Sequence, residues 1–246
     1  RFKIGVFNMK NTRVVILAGG NGARLKPYTK IFPKPLMPIG EMPILEVVLR
    51  QLKSFGFEMI TLSVNHLADL IKNFFGNGSQ LGLDISYCIE DTPLGTAGSI
   101  SLVKDITENF LVMNGDLLTT IDYSSIMQKH IDSGSMATIG VFPREVKIDF
   151  GVLELDDSGE LLAYTEKPSF EYMVSMGINI FNKSVLDFIP KGKYLDIPVL
   201  MMNLKKAGRK VSTFQSDCDW LDIGRPDDYE QAVVEFERSR NKYLKE

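Results

Sequence analysis

Apolar positions along the chain follow two alternating patterns. Short runs rich in β-branched residues alternate with longer stretches whose apolar positions recur every three to four residues. The short runs cover residues 14–18, 59–64, 83–89, 110–113 and 137–142. The helical period predicts a helix over 43–55, with apolar residues at 44, 45, 48, 52 and 55 and Gly56 as its stop. Further helices are expected over 67–75, 97–104, 123–133 and 195–207, and Pro226 opens the last one, with Asp227 and Asp228 suited to its N-terminal dipole. Strands that read as continuous apolar runs belong in a parallel sheet buried on both faces. Their alternation with helices predicts βαβ units and an α/β fold: a doubly wound, mostly parallel but mixed, Rossmann-like sheet. Past residue 142 the pattern changes. Residues 151–155 and 161–165 flank Asp157-Ser158-Gly159 and read as a hairpin, and 176–181 reads as a strand. No repeat, low-complexity segment or linker interrupts this, so 12–246 is read as a single domain with halves at 12–142 and 143–246. Residues 1–9 alternate like a strand with no place in that domain, so 1–11 are read as a cloning scar or the end of an upstream domain.

Composition narrows the function classes. The 246 residues are 44% apolar and 24% charged, as in ordinary globular proteins, and the net charge of −3 provides no global field for nucleic acid or an anionic membrane. No apolar run approaches the ~20 residues that span a bilayer, and no secretory leader is visible. Cys88 and Cys218 are too few for a disulfide framework and are not spaced for zinc. A reduced, cytoplasmic protein without nucleic-acid or membrane partners is expected, with Cys88 as a small core residue. His66 and His130 have no partner at ligand or triad spacing and read as surface or strand-end residues.

The chemistry concentrates in residues 14–35. The first apolar run leads into Gly19, Gly20 and Gly22, whose backbone N–H groups can converge on an anion. Arg24 and the Pro33-Lys34-Pro35 lysine add two cations near the same strand end. Leu25 stands where a dinucleotide fingerprint needs its third glycine, and no Gly-Lys-Ser/Thr is present for a Walker A loop. A phosphate site of another kind is indicated; a purely structural turn is the alternative. Asp116 follows a strand through Asn114-Gly115 and falls at the sheet edge where ligands bind in such folds, unless it only shapes a turn. Asp222 interrupts the apolar run 220–224 and needs a partner if buried, a salt bridge being one. Two carboxylates beside a phosphate site make a Mg²⁺ site, since Mg²⁺ takes one or two carboxylates plus phosphate oxygens and waters. Lys167, in Glu166-Lys167-Pro168, is placed to reach a second phosphate and Glu166 to accept from hydroxyls, against a solvated turn as the plainer reading. Small residues in 93–98 would admit a flat ring, with Thr96 as a hydrogen-bonding handle, or would merely start a helix. No Ser or Cys lies in a nucleophile elbow.

In this order, these pieces resemble the sugar-1-phosphate nucleotidyltransferase family. The resemblance rests on Gly19, Gly20, Gly22, Arg24, Leu25 and Pro27, then Pro33-Lys34-Pro35, Gly95-Thr96-Ala97-Gly98, Gly115-Asp116, Gly151, Glu166-Lys167-Pro168 and residues 220–224, and it covers about 12–234. It implies that a nucleoside triphosphate and a sugar 1-phosphate give a nucleotide-sugar and pyrophosphate. Leu17, Ala18, Gly19, Gly20 and Gly22 with Arg24 would hold the triphosphate. Lys34 would stabilise charge at the α-phosphate. Gly95, Thr96 and Gly98 would hold the base. Gly151 and Glu166 would contact sugar hydroxyls, Lys167 would grip the sugar phosphate, and Asp116 and Asp222 would bind Mg²⁺. The halves then become nucleotide-binding (12–142) and sugar-phosphate-binding (143–246). Two departures from the family stand out: Ala23 replaces a Thr or Ser, and Ser175 and Asn179 flank residues 176–178, where relatives commonly carry Asn and Tyr. The Pro-Leu-Gly-Thr-Ala-Gly form is similar to guanylyltransferases acting on mannose 1-phosphate, and the runs 114–119 and 220–229 resemble bacterial members fused behind paired CBS domains, some of which act on amino-sugar phosphates in surface-glycan synthesis. GTP with a mannose- or glucosamine-1-phosphate substrate is therefore expected, in a homo-oligomer or behind an upstream CBS-type domain. Thymidylyl or uridylyl transfer to glucose 1-phosphate, transfer to another acceptor, and a non-catalytic nucleotide-sugar sensor are the alternatives.

Overall fold

A computed structural model describes residues 8–20, 22, 25, 29, 31–65 and 67–244. The strand-like reading of the first residues, Ala23, Arg24 and His66 lie outside them. In chain order the elements are β1 (Arg13–Leu17), β2 (Pro38–Ile39), β3 (Met42–Pro43), α1 (Ile44–Ser54), β4 (Met59–Val64), α2 (Ala68–Phe75), β5 (Asp84–Ile89), α3 (Gly95–Gly98), β6 (Asn109–Asn114), β7 (Leu117–Thr119), α4 (Tyr123–Ser133), β8 (Ala137–Lys147), β9 (Val152–Leu155), β10 (Leu161–Thr165), β11 (Ser169–Asn182), α5 (Ile197–Lys206), β12 (Val211–Gln215), β13 (Trp220–Asp222) and α6 (Pro226–Tyr243).

Seven strands form the central sheet in the order β12-β8-β11-β6-β1-β4-β5. All are parallel except β11, which runs antiparallel to both neighbours, β6 and β8. The expected mixed, mostly parallel α/β sheet is therefore present. The central strands β1, β4 and β6 are buried on both sides, as their unbroken apolar runs required, while the edge strands β5 and β12 are partly exposed. Along β1, Val14 and Ile16 point into one core with the apolar faces of α1, α2 and α4, while Val15 points into the other with α5. α6 packs on β2, β7 and β13 around a third cluster that includes Ile39, Leu118, Ile223 and Phe236.

Three expectations change. The helix over 97–104 is only the single turn α3, followed by a 3-10 turn at Ser99–Leu102. Serine hydroxyls explain the stop: Ser101 Oγ donates to Gly98 O at 2.7 Å, competing for a carbonyl that a continuing helix would use. The strands expected at 137–142 and 176–181 are much longer, because 142–147 and 169–174 pair with each other as a ribbon beyond the sheet. The edge strand β12 and the short β7 were not foreseen at all.

His130 is not at the surface either. It is 1% exposed, on the sheet-facing side of α4. Its Nδ1 lies 2.8 Å from Thr138 Oγ1 and its Nε2 3.2 Å from Asn109 Oδ1, a pair that a neutral ring protonated on Nε2 satisfies. Burial penalises the charged ring and lowers its pKa to about 4 from 6.5. The unfolded chain takes up this proton first, so stability is complete above pH 6.5 and is lost as pH falls toward 4. The loss is at most about 3 kcal/mol from this residue. Denaturant unfolding at a series of pH values should show wild type losing more stability over that interval than His130→Gln; parallel curves would mean that the ring is not held neutral.

Candidate functional site

The carboxyl end of β1 lies between β4 and β6, and backbone hydrogen bonds tie the three strand ends together. Ala18 N donates to Ser63 O at 2.8 Å, and Gly115 N donates to Leu17 O at 3.0 Å. β4 and β6 leave β1 on opposite sides, so their following loops diverge and open a crevice. A cavity of about 530 Å³ fills it. Leu17, Ala18, Gly19, Gly20 and Gly22 form its floor. Among the described residues no heavy atom lies within 4 Å of where a Gly20 side chain would start, whereas a Cβ at Gly19 would meet Asn65 at 3.2 Å and one at Gly22 would meet Thr29 at 2.7 Å. The Gly22 carbonyl accepts from Leu25 N at 2.9 Å and from Thr29 Oγ1 at 2.6 Å.

Two charged groups meet over this floor. Lys34 stands in a 3-10 turn (Lys34–Leu36) fixed by Pro33 and by the buried Pro35 and Leu36. Asp116 follows β6 through Gly115. Lys34 Nζ and Asp116 Oδ2 form an ion pair, with the side chains only 11% and 19% exposed. Partial removal from water strengthens their attraction over that of a surface pair. Asp222 reaches the same place along the backbone: β13 pairs antiparallel with β7, Asp222 opposite Leu117, and Ile223 N donates to Asp116 O at 3.2 Å. Asp222 is half-buried, not fully buried as its apolar neighbours implied, and Gly224, two residues on, lines the cavity in its stead. Among the described residues no cluster of three or more His, Cys, Asp or Glu could hold a metal unaided. Asp116 and Asp222 are brought to adjoining backbone positions, Asp116 with its carboxylate on Lys34.

The opposite wall is built for donors. Glu90 follows β5; its Oε1 accepts from Ser63 Oγ at 3.0 Å and its Oε2 from Leu94 N at 2.9 Å, which leaves lone pairs on both oxygens. The turn of α3 beside it is clasped by a segment a hundred residues away. Leu195 O accepts from Ala97 N and Gly98 N at 2.9 Å each, and Asp196 Oδ1 accepts from Thr96 N at 3.1 Å and Thr96 Oγ1 at 3.3 Å. Tyr194 OH donates to Asp196 Oδ2 at 2.7 Å, and this hydrogen bond leads the causes that hold the Asp196 carboxyl below its ordinary pKa. Gly95 has φ +74°, and a Cβ there would stand 2.7 Å from Leu195 O, so the turn requires glycine on both counts.

Of the residues singled out in the sequence, Leu17, Ala18, Gly19, Gly20, Gly22, Lys34, Gly95, Thr96 and Asp116 line this one cavity. Gly98 does not: a Cβ there would be 2.5 Å from Lys193 O, so its smallness serves the clasp. Gly151, Glu166 and Lys167 are also not among its lining and sit on the β9–β10 hairpin, where the Tyr164 side chain closes over Gly151 and Tyr164 OH donates to Glu166 Oε2 at 3.3 Å. Ser63, Glu90, Tyr194 and Asp196 line the cavity but were not singled out. Glu90 carried the same signal as Asp116, an acid directly after a parallel strand; Tyr194 and Asp196 carried none, since only the tertiary fold brings them to α3.

Comparison with known proteins places the chain in a family. The nucleotidyl transferase family profile matches residues 13–239. A UTP–glucose-1-phosphate uridylyltransferase of Synechocystis is 34% identical over 90% of this chain, which spans 62% of that protein's length. A D-glycero-alpha-D-manno-heptose 1-phosphate guanylyltransferase of Aneurinibacillus thermoaerophilus is 30% identical over 91% of this chain and 97% of its own. The crystal structure of HddC from Yersinia pseudotuberculosis complexed with GMP-PN superposes with a TM-score of 0.71 at 28% identity, covering 92% of this chain and 99% of that one. With a profile match across nearly the whole chain and relatives of this identity, the chain belongs to the nucleotidyl transferase family, among the sugar-1-phosphate nucleotidyltransferases.

Proposed function

We propose that this chain transfers GMP from GTP to a sugar 1-phosphate of the mannose or glucosamine type, releasing pyrophosphate. The observation that carries the reaction class is the placement of Lys34 and Asp116 beside the glycine backbone that lines the cavity at the carboxyl end of β1. A sugar-phosphate oxygen attacks the α-phosphorus in line, and the bond from that phosphorus to the bridging oxygen of the β-phosphate breaks. The attacking oxygen is already anionic, so no general base is needed, and rate comes from positioning and charge neutralisation. The 19–22 backbone would cradle the triphosphate. Lys34 would turn from Asp116 to the α-phosphate as the triphosphate enters. Asp116 and Asp222 would hold Mg²⁺, which when bound neutralises phosphate charge. Glu166 and Lys167 would meet the sugar phosphate from the hairpin.

Glu90 supports guanine. A carboxylate only accepts hydrogen bonds, and the guanine edge offers N1–H and N2–H₂ side by side. Uracil and thymine offer a single N–H between two carbonyl oxygens, which the carboxylate would repel. The Synechocystis relative, named for UTP and glucose 1-phosphate, favours the second reading, uridylyl transfer.

The deciding assay is pyrophosphate release with Mg²⁺, crossing GTP, UTP, dTTP, CTP and ATP against mannose-, glucose- and glucosamine-1-phosphate. Release with GTP and one of the two named sugars is expected. Release confined to UTP and glucose 1-phosphate would install the second reading, and binding of nucleotide without release from any pair would make the chain a sensor. Asp116→Asn should lower kcat/KM roughly 100- to 1000-fold with an unchanged melting temperature; near-normal turnover would remove Asp116 from the reaction. Glu90→Gln keeps an acceptor for Leu94 N but loses the second one facing the base. It should narrow the GTP-over-UTP preference about tenfold, an interaction difference of about 1.4 kcal/mol; an unaltered preference would place base selection elsewhere.

A further inference from the structure

In the proposed reaction the base meets Glu90 along one edge, and its flat faces have no partner yet. Thr96 does not supply one. Its hydroxyl donates to Asp196 Oδ1 at 3.3 Å and accepts from Ile197 N at 2.8 Å, so the clasp on α3 occupies it.

Tyr194 has the properties that such a face needs. Among the described residues it is the one aromatic side chain lining the cavity, and it is 66% exposed. No other exposed large apolar side chain lines the cavity there. Exposure here does not mean looseness. The hydroxyl end is tied to Asp196 Oδ2 at 2.7 Å, and Asp196 is tied in turn to Thr96 N at 3.1 Å. The main-chain end is tied at the next residue, where Leu195 N donates to Leu94 O at 2.8 Å. A ring anchored at both ends keeps its orientation before a ligand arrives, which removes part of the ordering cost of binding. Leu94 also brings the ring's segment beside Glu90, because Leu94 N donates to Glu90 Oε2 at 2.9 Å. The carboxylate and the segment that bears the ring are thus held by the N–H and the carbonyl of one residue.

We propose that Tyr194 stacks on the base of the bound nucleotide, a contact that rests on the placement of the base beside Glu90. Every base has a π-face, so stacking on an aromatic ring adds affinity with little choice among bases. Hydrogen bonding along the edge makes the choice. Tyr194 therefore sets how tightly a nucleotide is held, and Glu90 sets which one. A tyrosine that served the clasp alone would act through its hydroxyl, by anchoring Asp196; the stack acts through the ring. The two roles use different atoms, so substitutions separate them.

Calorimetric titration with Mg²⁺ and without sugar phosphate tests this, using GTP, UTP and inorganic tripolyphosphate, which carries phosphates and no base. Tyr194→Ala should raise Kd about tenfold for whichever of GTP and UTP wild type binds, the scale of one base–aromatic stack. Its Kd for tripolyphosphate should stay within about twofold of wild type, since the stack needs a base. Tyr194→Phe, which keeps the ring and loses the hydroxyl, should bind nucleotide within about threefold of wild type. Tyr194→Trp gives a reading that needs no affinity: its fluorescence should fall on adding nucleotide by a larger fraction than that of Trp220, the one tryptophan of wild type. Equal losses in Tyr194→Phe and Tyr194→Ala, a loss for tripolyphosphate as large as for nucleotide, or an unchanged Kd in Tyr194→Ala would overturn the stack and leave the proposed reaction standing, since wild type still binds. Wild type that binds neither nucleotide would overturn both.

Discussion

The backbone bonds at the carboxyl end of β1 are what the rest of the site depends on. β1 is buried along nearly its whole length and holds β4 on one side and β6 on the other. Ala18 N to Ser63 O and Gly115 N to Leu17 O fix how far each neighbouring strand extends before its loop turns away. Asp116 is one residue beyond the second of these bonds, so its position follows from main-chain pairing before any side-chain contact is made. Lys34, carried on a proline-bounded turn, then has a partner at a defined distance from the strand end.

Charge within the cavity is segregated by the same framework. Lys34 and Asp116 lie over the glycine floor, whereas Glu90 and Asp196 stand on the α3 side. Both of these acids already bind main-chain N–H groups of the 94–96 turn, so their orientations do not depend on a ligand. In the reaction proposed above, a nucleotide would lie end to end in this cavity, its phosphates toward the Lys34 ammonium and its base toward these acceptors. Such fixed dipoles and charges need little reorganisation when a substrate enters.

The sequence was most legible where one local rule acted alone. The β1 run, the helical period of α1, the Asp122-capped α4 and the Asp157-Ser158-Gly159 turn each follow from residues within a few positions of one another. It was least legible where long-range packing overrode a local pattern. α3 ends early because serine hydroxyls take its carbonyls, and His130 is buried because α4 turns it toward Thr138 and Asn109. The site divided in the same way: the glycine floor, Lys34 and Asp116 could be read from strand ends and spacing. Tyr194 and Asp196 could not, because nothing near them in the chain marks them. Gly98 shows the opposite error, a small residue noticed for a ligand whose smallness serves a neighbouring carbonyl.

The clasp of residues 194–197 on α3 has a consequence for how the molecule is made. Thr96 and Asp196 are a hundred positions apart, and β11 must insert between β6 and β8 before the sheet is continuous. A chain emerging from the ribosome therefore presents the glycine loop and the α3 turn long before the wall that completes them. Until Asp196 arrives, Gly95 has no reason to hold its left-handed conformation and the polar groups of 94–98 face water. Closing so long a loop costs entropy that only the last packing steps return. The α3 turn is consequently among the last parts of the molecule to mature, because the residues that hold it lie a hundred positions further along the chain.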